Sequence, residues 1–467
     1  VVGSAAKAHA QVEPDRVASV FKRGMGEPGH LDGGAPFVVD GRSQAPEELS
    51  SYVLKKLAAM AEQHLGRPPE KAVVTVPAYF GETERTATRN AAEIAGLEIV
   101  QIIDEPTAAA IAHGLDGGGS VGGLLLVFDL GGGTFDVTIM RYEDGGEMHV
   151  VATEGDKALG GADFDAAIVE RMRAEVRSER GIDLLEDPYQ RADAYAAAEE
   201  LKKQLSTAPS VTRRIVVGGP PVLFELTREQ FEELIAEQRE LVEDATRSAL
   251  DKAAEQLGVD TVRVDAALMV GGSSRIPAFR RLLTEITGLE PLISKNLDED
   301  VSRGAAMLGA KLAGRLDPRS ELAAIPVPRD AASHALGITL AEEDGVTEYN
   351  DVVIPEGTPI PREISRIYGT ASDGQTEIRV RLNEGGDRDL MFVRELGESV
   401  GRLSRPVPRG YPLRMEIEYT ADQLVVVNAY DGETGEHLCE LKVEHRGILD
   451  EEAKRSAREH LTSIAVR

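Results

Sequence analysis

Cysteine is nearly missing from this chain of 467 residues: Cys439 is the single example. No disulfide can form within the chain, and a zinc site built on paired cysteines is excluded. Cys439 itself reads as a small apolar residue buried in a strand. No uninterrupted apolar run approaches the roughly 18 residues that mark a membrane-spanning helix. A secretory signal pattern is absent, and so is an initiating methionine, since the chain opens Val1-Val2-Gly3. That opening leads to the expectation that something upstream has been lost. Basic residues are scarce too: 52 Lys and Arg stand against 80 Asp and Glu, a formal net charge of −28. Such a field repels nucleic acid and anionic membrane, so neither is an expected partner. Together these shortages point to a reducing, cytoplasmic location.

Core material is ample, with 42% hydrophobic and 28% charged residues in a soluble globular composition. The length suggests two to four domains. Up to residue 313 strands alternate with helices. Strands are expected at 72–76, 97–103 and 266–270, and helices at 82–95, 106–113, 163–179, 190–206 and 228–257, with a loop at 154–161. This alternation predicts a mostly parallel or mixed sheet covered by helices. Residues 314–330 hold three prolines and no clear periodicity, and read as a linker. From 331 to 445 the period is two: Ile378, Val380 and Leu382 share one face, and Met415, Ile417 and Tyr419 share another. Strands at this spacing, broken by glycine-containing turns, predict an all-β sandwich. Residues 446–467 close the chain with one short helix.

The stretch richest in chemistry is Phe128-Asp129-Leu130-Gly131-Gly132-Gly133-Thr134-Phe135-Asp136, set between two apolar strands. A hairpin with a triple-glycine turn lets the backbone approach a phosphate chain, through bare N–H groups and access to positive φ. Two aspartates and a threonine hydroxyl bracket the turn, as a magnesium-bound nucleotide requires. A second glycine element, Gly271-Gly272-Ser273-Ser274-Arg275-Ile276, lies at a strand-to-helix turn that can present a helix N-terminus to an anion. Arg275 there can stack on an adenine. A third element, Asp104-Glu105-Pro106-Thr107, offers a carboxylate that orients a water or a metal, or simply caps the following helix. Taken singly, each has an ordinary reading as packing or capping.

Together the three elements resemble the actin-like ATPase domain of the heat shock protein 70 (DnaK-type) chaperones, in an actinobacterial-like, divergent form. Val20-Phe21-Lys22-Arg23-Gly24, Val76-Pro77-Ala78-Tyr79-Phe80, Leu159-Gly160-Gly161-Ala162-Asp163-Phe164-Asp165 and Asn296-Leu297-Asp298-Glu299 follow in the family's order. Ala335-Leu336-Gly337-Ile338 and Val407-Pro408-Arg409-Gly410 extend the likeness into the β region. The resemblance implies an actin-like (ribonuclease H-like) two-lobed α/β ATPase domain at 1–313, a linker at 314–330, a peptide-binding β-sandwich at 331–445 and a lid stub at 446–467. It implies ATP/ADP and Mg2+ as cofactors, and an activity that couples ATP hydrolysis to capture and release of exposed hydrophobic peptide segments.

By the same resemblance, Lys22 positions the attacking water, Glu105 helps hold it, Asp129 faces magnesium through its water shell, Thr134 contacts the γ-phosphate and Asp136 is a proton acceptor. Gly131, Gly132, Gly133, Gly160, Gly161, Gly271, Gly272, Ser273, Ile276 and Asp298 fall to the nucleotide. Glu199, Lys202, Lys203 and Ser206 match a helix that stacks on adenosine, with Arg275 as the opposite wall; their spacing puts them on one helical face. Pro77 and Arg85 match a switch between the halves. Ile338, Tyr368, Ile378 and Val380 match a groove that takes an extended peptide as an added strand, although alternating Ile and Val also fill any sandwich core. A J-domain co-chaperone and a nucleotide exchange factor are implied partners.

The sequence departs from the family pattern in three places. It begins inside that pattern, without the first phosphate hairpin, so the chain as given is expected to bind ATP poorly and hydrolyse it worse. Its linker carries Pro326 and Pro328, which do not suit a central strand. Only a short helix follows the sandwich, so peptide should exchange quickly. An alternative reading is a nucleotide-regulated binding module for a dedicated partner, with weak or no ATPase activity. A filament scaffold or a sugar kinase on the same fold would not need residues 331–445.

Overall fold

A computed structural model describes residues 1–467 except 28–36, 70, 116–122, 143–147, 295, 296, 298, 315, 316, 318, 321–330, 343, 345, 421–423, 443–448, 465 and 467. Asp298 and most of the expected linker therefore lie outside the described residues.

The α/β half is organised by a five-stranded sheet in the order Leu292–Ile293, Ala266–Val270, Gly123–Leu130, Phe135–Tyr142, Met148–Asp156. Ala266–Val270 runs parallel to its two neighbours, whereas the last three strands form an antiparallel meander, so the sheet is mixed. Gly123–Leu130 is apolar along nearly its whole length because both its faces are covered. Leu126 and Phe128 pack with Phe135, Phe164 and Phe279 beneath the helices Gly161–Arg180 and Pro277–Thr287. Leu125 and Val127 face the other way, onto Ala109, Ile111 and Leu308 of the helices Glu105–Leu115 and Asp300–Leu312. A separate parallel pair, Lys71–Val76 and Glu98–Asp104, is joined by the helix Glu82–Ala95, which ends at Gly96 in the left-handed region (φ 85°).

The expected helix at 228–257 is two helices. Arg228–Leu234 starts at a reciprocal cap between Thr227 and Gln230, and the chain leaves helical geometry at Ile235 before resuming as Ala236–Leu257. Ile235 is fully buried, so tertiary packing sets this break and the amphipathic pattern runs through it. The loop expected at 154–161 begins later: the strand continues to Asp156, which pairs with Phe135.

Residues 331 onward form two four-stranded antiparallel sheets. One is ordered Glu348–Ile354, Leu336–Ala341, Gln375–Glu384, Arg394–Val407; the other Arg362–Gly369, Pro412–Tyr419, Val425–Asp431, His437–Lys442. Ile378, Val380 and Leu382 of the first meet Met415, Ile417 and Tyr419 of the second in one core, as the period-two pattern requires. The terminal helix Glu451–Ser463, capped by Asp450, turns back to the α/β half. Its Ala457 and Leu461 pack on Ile94, and Lys454 pairs with Glu93 at 3.0 Å. Among the described residues no helix is long and apolar enough to cross a membrane.

Candidate functional site

The antiparallel pairing of Gly123–Leu130 with Phe135–Tyr142 places Asp129 directly opposite Asp136, with Gly131-Gly132-Gly133-Thr134 as the turn. Gly131 N–H donates to Thr134 O at 3.0 Å, closing it. None of the three glycines takes the positive φ that the sequence suggests. Their value lies in space instead: a Cβ at Gly132 would meet no protein atom within 4 Å. The fold does not need a glycine there, and its absence of a side chain leaves the backbone open on that side.

The other two glycine turns converge on this one. Gly161 N–H and Ala162 N–H donate to Gly131 O and Gly132 O at 3.0 and 2.8 Å, and Ser273 Oγ donates to Gly131 O at 2.8 Å. Here glycine is a steric requirement. A Cβ at Gly160 would lie 2.8 Å from Gly133 N, and one at Gly271 would lie 2.4 Å from Leu130 O, on a backbone already at φ 80°. The element at 271–276 is a 3-10 turn, Gly272–Arg275, inserted before the helix Pro277–Thr287; it buries Ser273 and Ile276 and leaves Arg275 exposed.

Lys22 comes from the short 3-10 turn Phe21–Gly24, and its Nζ meets Glu105 Oε1 at 2.5 Å. Glu105 is delivered by the end of the strand Glu98–Asp104, as the first residue of the next helix. Asp129, Thr134 and Asp136 are all buried. Burial, with the charge of Glu105, pushes the Asp129 carboxyl up to about 7. The same two causes, joined by Asp129, hold Asp136 well above the usual carboxylate range, although Tyr79 N–H donates to it at 3.0 Å. Partial desolvation at its ammonium works against the charge of Lys22, although the side chain as a whole is half-exposed, but Glu105, Asp136 and Asp129 outweigh it and raise its pKa. Three carboxylates thus crowd around one ammonium. Such a cluster is short of positive charge, which suits a divalent cation. Among the described residues no three carboxylate, histidine or cysteine groups converge as a direct metal cage.

The expected adenosine set is divided. Lys202 turns inward, donating to Gly161 O at 2.7 Å and pairing with Asp165 at 2.8 Å. Glu199 pairs outward with Lys203 at 2.7 Å and with Lys7 at 2.5 Å. Ser206 lies just past the end of the helix Pro188–Leu205, its hydroxyl donating to Lys202 O. Lys7 was not legible as part of this set, because nothing local marks it.

Pro77 is buried and accepts from Phe80 N–H, while Arg85 donates to Phe80 O at 2.9 Å and forms a buried pair with Asp104. The sandwich touches this stretch: Arg394 donates to Thr83 Oγ1 at 3.2 Å, and His334 sits edge-on to Tyr79. Ile338, Ile378 and Val380 are enclosed in the sandwich core, each no more than 3% exposed. Tyr368 is half-buried and donates to Asp351 Oδ2 at 2.8 Å.

Comparison with known proteins matches residues 1–464 to the family described as Hsp70 protein. Among similar curated proteins, the mitochondrial-type heat shock protein 70 of Encephalitozoon cuniculi (strain GB-M1) is 36% identical over 438 residues, covering 92% of this chain and 71% of that one. The chaperone protein DnaK of Thermotoga neapolitana (strain ATCC 49049 / DSM 4359 / NBRC 107923 / NS-E) is 36% identical over 466 residues, covering 97% and 74% respectively. A match over nearly the whole chain, agreeing with the converged glycine turns and their charged cluster, shows that this chain belongs to the Hsp70 family.

Proposed function

We propose that the protein is an ATP-dependent molecular chaperone whose hydrolytic site is the cluster between the glycine turns. The observation that carries this reading is the Lys22–Glu105 contact set beside the paired Asp129 and Asp136. Phosphoryl transfer asks mainly for positioning and charge neutralisation. Lys22 and Glu105 orient the attacking water, Asp136 accepts its proton, and Thr134 contacts the γ-phosphate. A magnesium ion, held by Asp129 through water, would supply charge neutralisation on the phosphates. Gly131, Gly132, Gly133, Gly160, Gly161, Gly271, Gly272 and Ser273 line the phosphates, with Ile276 alongside; the family resemblance assigns Asp298 to the same nucleotide set. Glu199, Lys202, Lys203, Ser206 and Arg275 serve the adenosine.

In this reading residues 1–313 are the nucleotide domain, 314–330 the linker, 331–445 the peptide domain and 446–467 the terminal helix. The groove matched by Ile338, Tyr368, Ile378 and Val380 takes an extended apolar peptide, and because the three aliphatic residues are enclosed, it must open around them for a peptide to enter; Pro77 and Arg85 relay nucleotide state to it. A J-domain co-chaperone and an exchange factor act in the cycle, in the cytoplasm. The test is ATP turnover by the full-length protein with and without an extended apolar peptide. Peptide-stimulated turnover is expected. Peptide binding with no change in turnover would favour a nucleotide-regulated binding module instead.

A further inference from the structure

Lys22 and Arg23 are neighbours in one 3-10 turn, yet they point to different worlds. Lys22 is half-exposed and reaches Glu105, whereas Arg23 is 8% exposed and reaches into the protein. Its Nε donates to Gly133 O at 2.8 Å. Its Nη1 and Nη2 donate to Asp163 Oδ1 and Oδ2 at 3.2 and 2.6 Å, a two-pronged pair. Asp163 Oδ2 also accepts from Gly160 N–H at 2.7 Å, closing the first turn of the helix Gly161–Arg180. One guanidinium therefore ties together the segment that carries Lys22, the glycine hairpin and the helix behind the Gly160-Gly161 turn.

The stereochemistry gives that tie a consequence. In a trans peptide the C=O and the next N–H point in opposite directions. Fixing Gly133 O against Arg23 therefore fixes where the Thr134 N–H is aimed. The turn that delivers both basic residues starts from Val20 at φ 57°, a conformation a β-branched residue rarely adopts. Something must hold the chain there, and Arg23 N–H donating to Val20 O at 3.1 Å is part of it. Lysine could not replace the arginine, because a single ammonium cannot span the Gly133 carbonyl and both Asp163 oxygens in this planar arrangement.

We propose that Arg23 is a positioning residue for ATP hydrolysis, locking the 133–134 peptide and the Lys22 turn to the helix behind Gly160-Gly161 so that Lys22 and Thr134 address the same phosphate. This rests on the ATPase reading given above. The experiment is single-turnover hydrolysis and ATP affinity in the full-length protein for Arg23→Gln, Arg23→Lys, Asp163→Asn, the double variant Arg23→Gln/Asp163→Asn, and Lys22→Ala. Arg23→Gln is expected to slow the hydrolytic step by on the order of a hundredfold, as small misplacements do, with ATP affinity changed less than about threefold on the same argument. Arg23→Lys should be as slow despite its retained charge. The double variant should lose less than the product of the two single losses, because both variants break the Arg23–Asp163 pair.

Hydrolysis by Arg23→Lys at the parent rate would overturn the proposal, since charge alone would then suffice. So would losses that multiply in the double variant, or a fall in affinity that tracks the fall in rate. Lys22→Ala separates the two levels. If it hydrolyses ATP normally, the ATPase site itself is misassigned; if it is inactive while Arg23→Gln is normal, only the positioning role fails.

Discussion

The two halves of this molecule treat their candidate residues in opposite ways. In the α/β half, Asp129, Thr134 and Asp136 are buried polar groups beside a lysine and a third carboxylate. Burying such charge costs stability unless something compensates, so its presence calls for a functional account. In the sandwich, Ile338, Ile378 and Val380 are buried apolar groups among others of the same kind. Their burial already has an explanation, and function adds nothing visible to it. A polar site announces itself against the physics of folding, whereas an apolar site blends into it.

Substitution can break or sharpen that contrast. The largest effect is expected for Asp136→Asn in the full-length protein, which should cut ATP turnover by about 10²- to 10⁴-fold, the range for loss of a positioned proton acceptor, while peptide affinity in the absence of nucleotide stays unchanged. Near-normal turnover would remove the charge cluster from the chemistry. In the other half, Ile378→Ala should cost about 2–5 kcal/mol of sandwich stability in denaturant unfolding. If stability holds and only peptide affinity falls, the residue belongs to a groove and not to the core.

A subtler test uses pH. The Asp129 carboxyl ionises near 7 when folded, against an ordinary value of 3.8. Between those values the folded state holds a proton that the unfolded chain has lost, so this group's stabilising share is present below 3.8 and fades as pH rises through about 7. Asp129→Asn should therefore flatten the decline in unfolding free energy across that window. A slope identical to the parent's would show that the burial of Asp129 has little electrostatic cost. The smallest effect is expected where the halves meet. Lys252 bridges Glu154 at 2.8 Å and Glu356 of the sandwich at 2.6 Å. Being partly solvated, Lys252→Ala should cost no more than about 1 kcal/mol, read as a small shift in thermal unfolding.

Legibility in the sequence followed the same division. The glycine hairpin was readable because strand, turn and carboxylates are contiguous, and the helix at 82–95 matched residue for residue because Gly96 ends it sharply. The helix Pro46–Leu65 and the hairpin Ser210–Ile215 with Val222–Thr227 were not read. The break at Ile235 was missed because an apolar face continues across it. Arg23 and Asp163 each sit within a motif of the sequence, 140 residues apart. An acid three residues after Gly160 was a capping signal, but nothing local told which cation would meet it.

The sequence by itself determined the class of each half, the family and the hairpin that faces Asp129 with Asp136, because these depend on periodicity and on residues adjacent in the chain. Only the tertiary structure decided that three glycine turns bond to one another, that Lys202 turns inward to Gly161 while Lys203 does not, and that Arg23 joins the Lys22 turn to Gly133 and Asp163. Those contacts link residues far apart along the chain. Their partners are chosen by how the packed sheet and helices bring them within hydrogen-bonding distance, which no local pattern records.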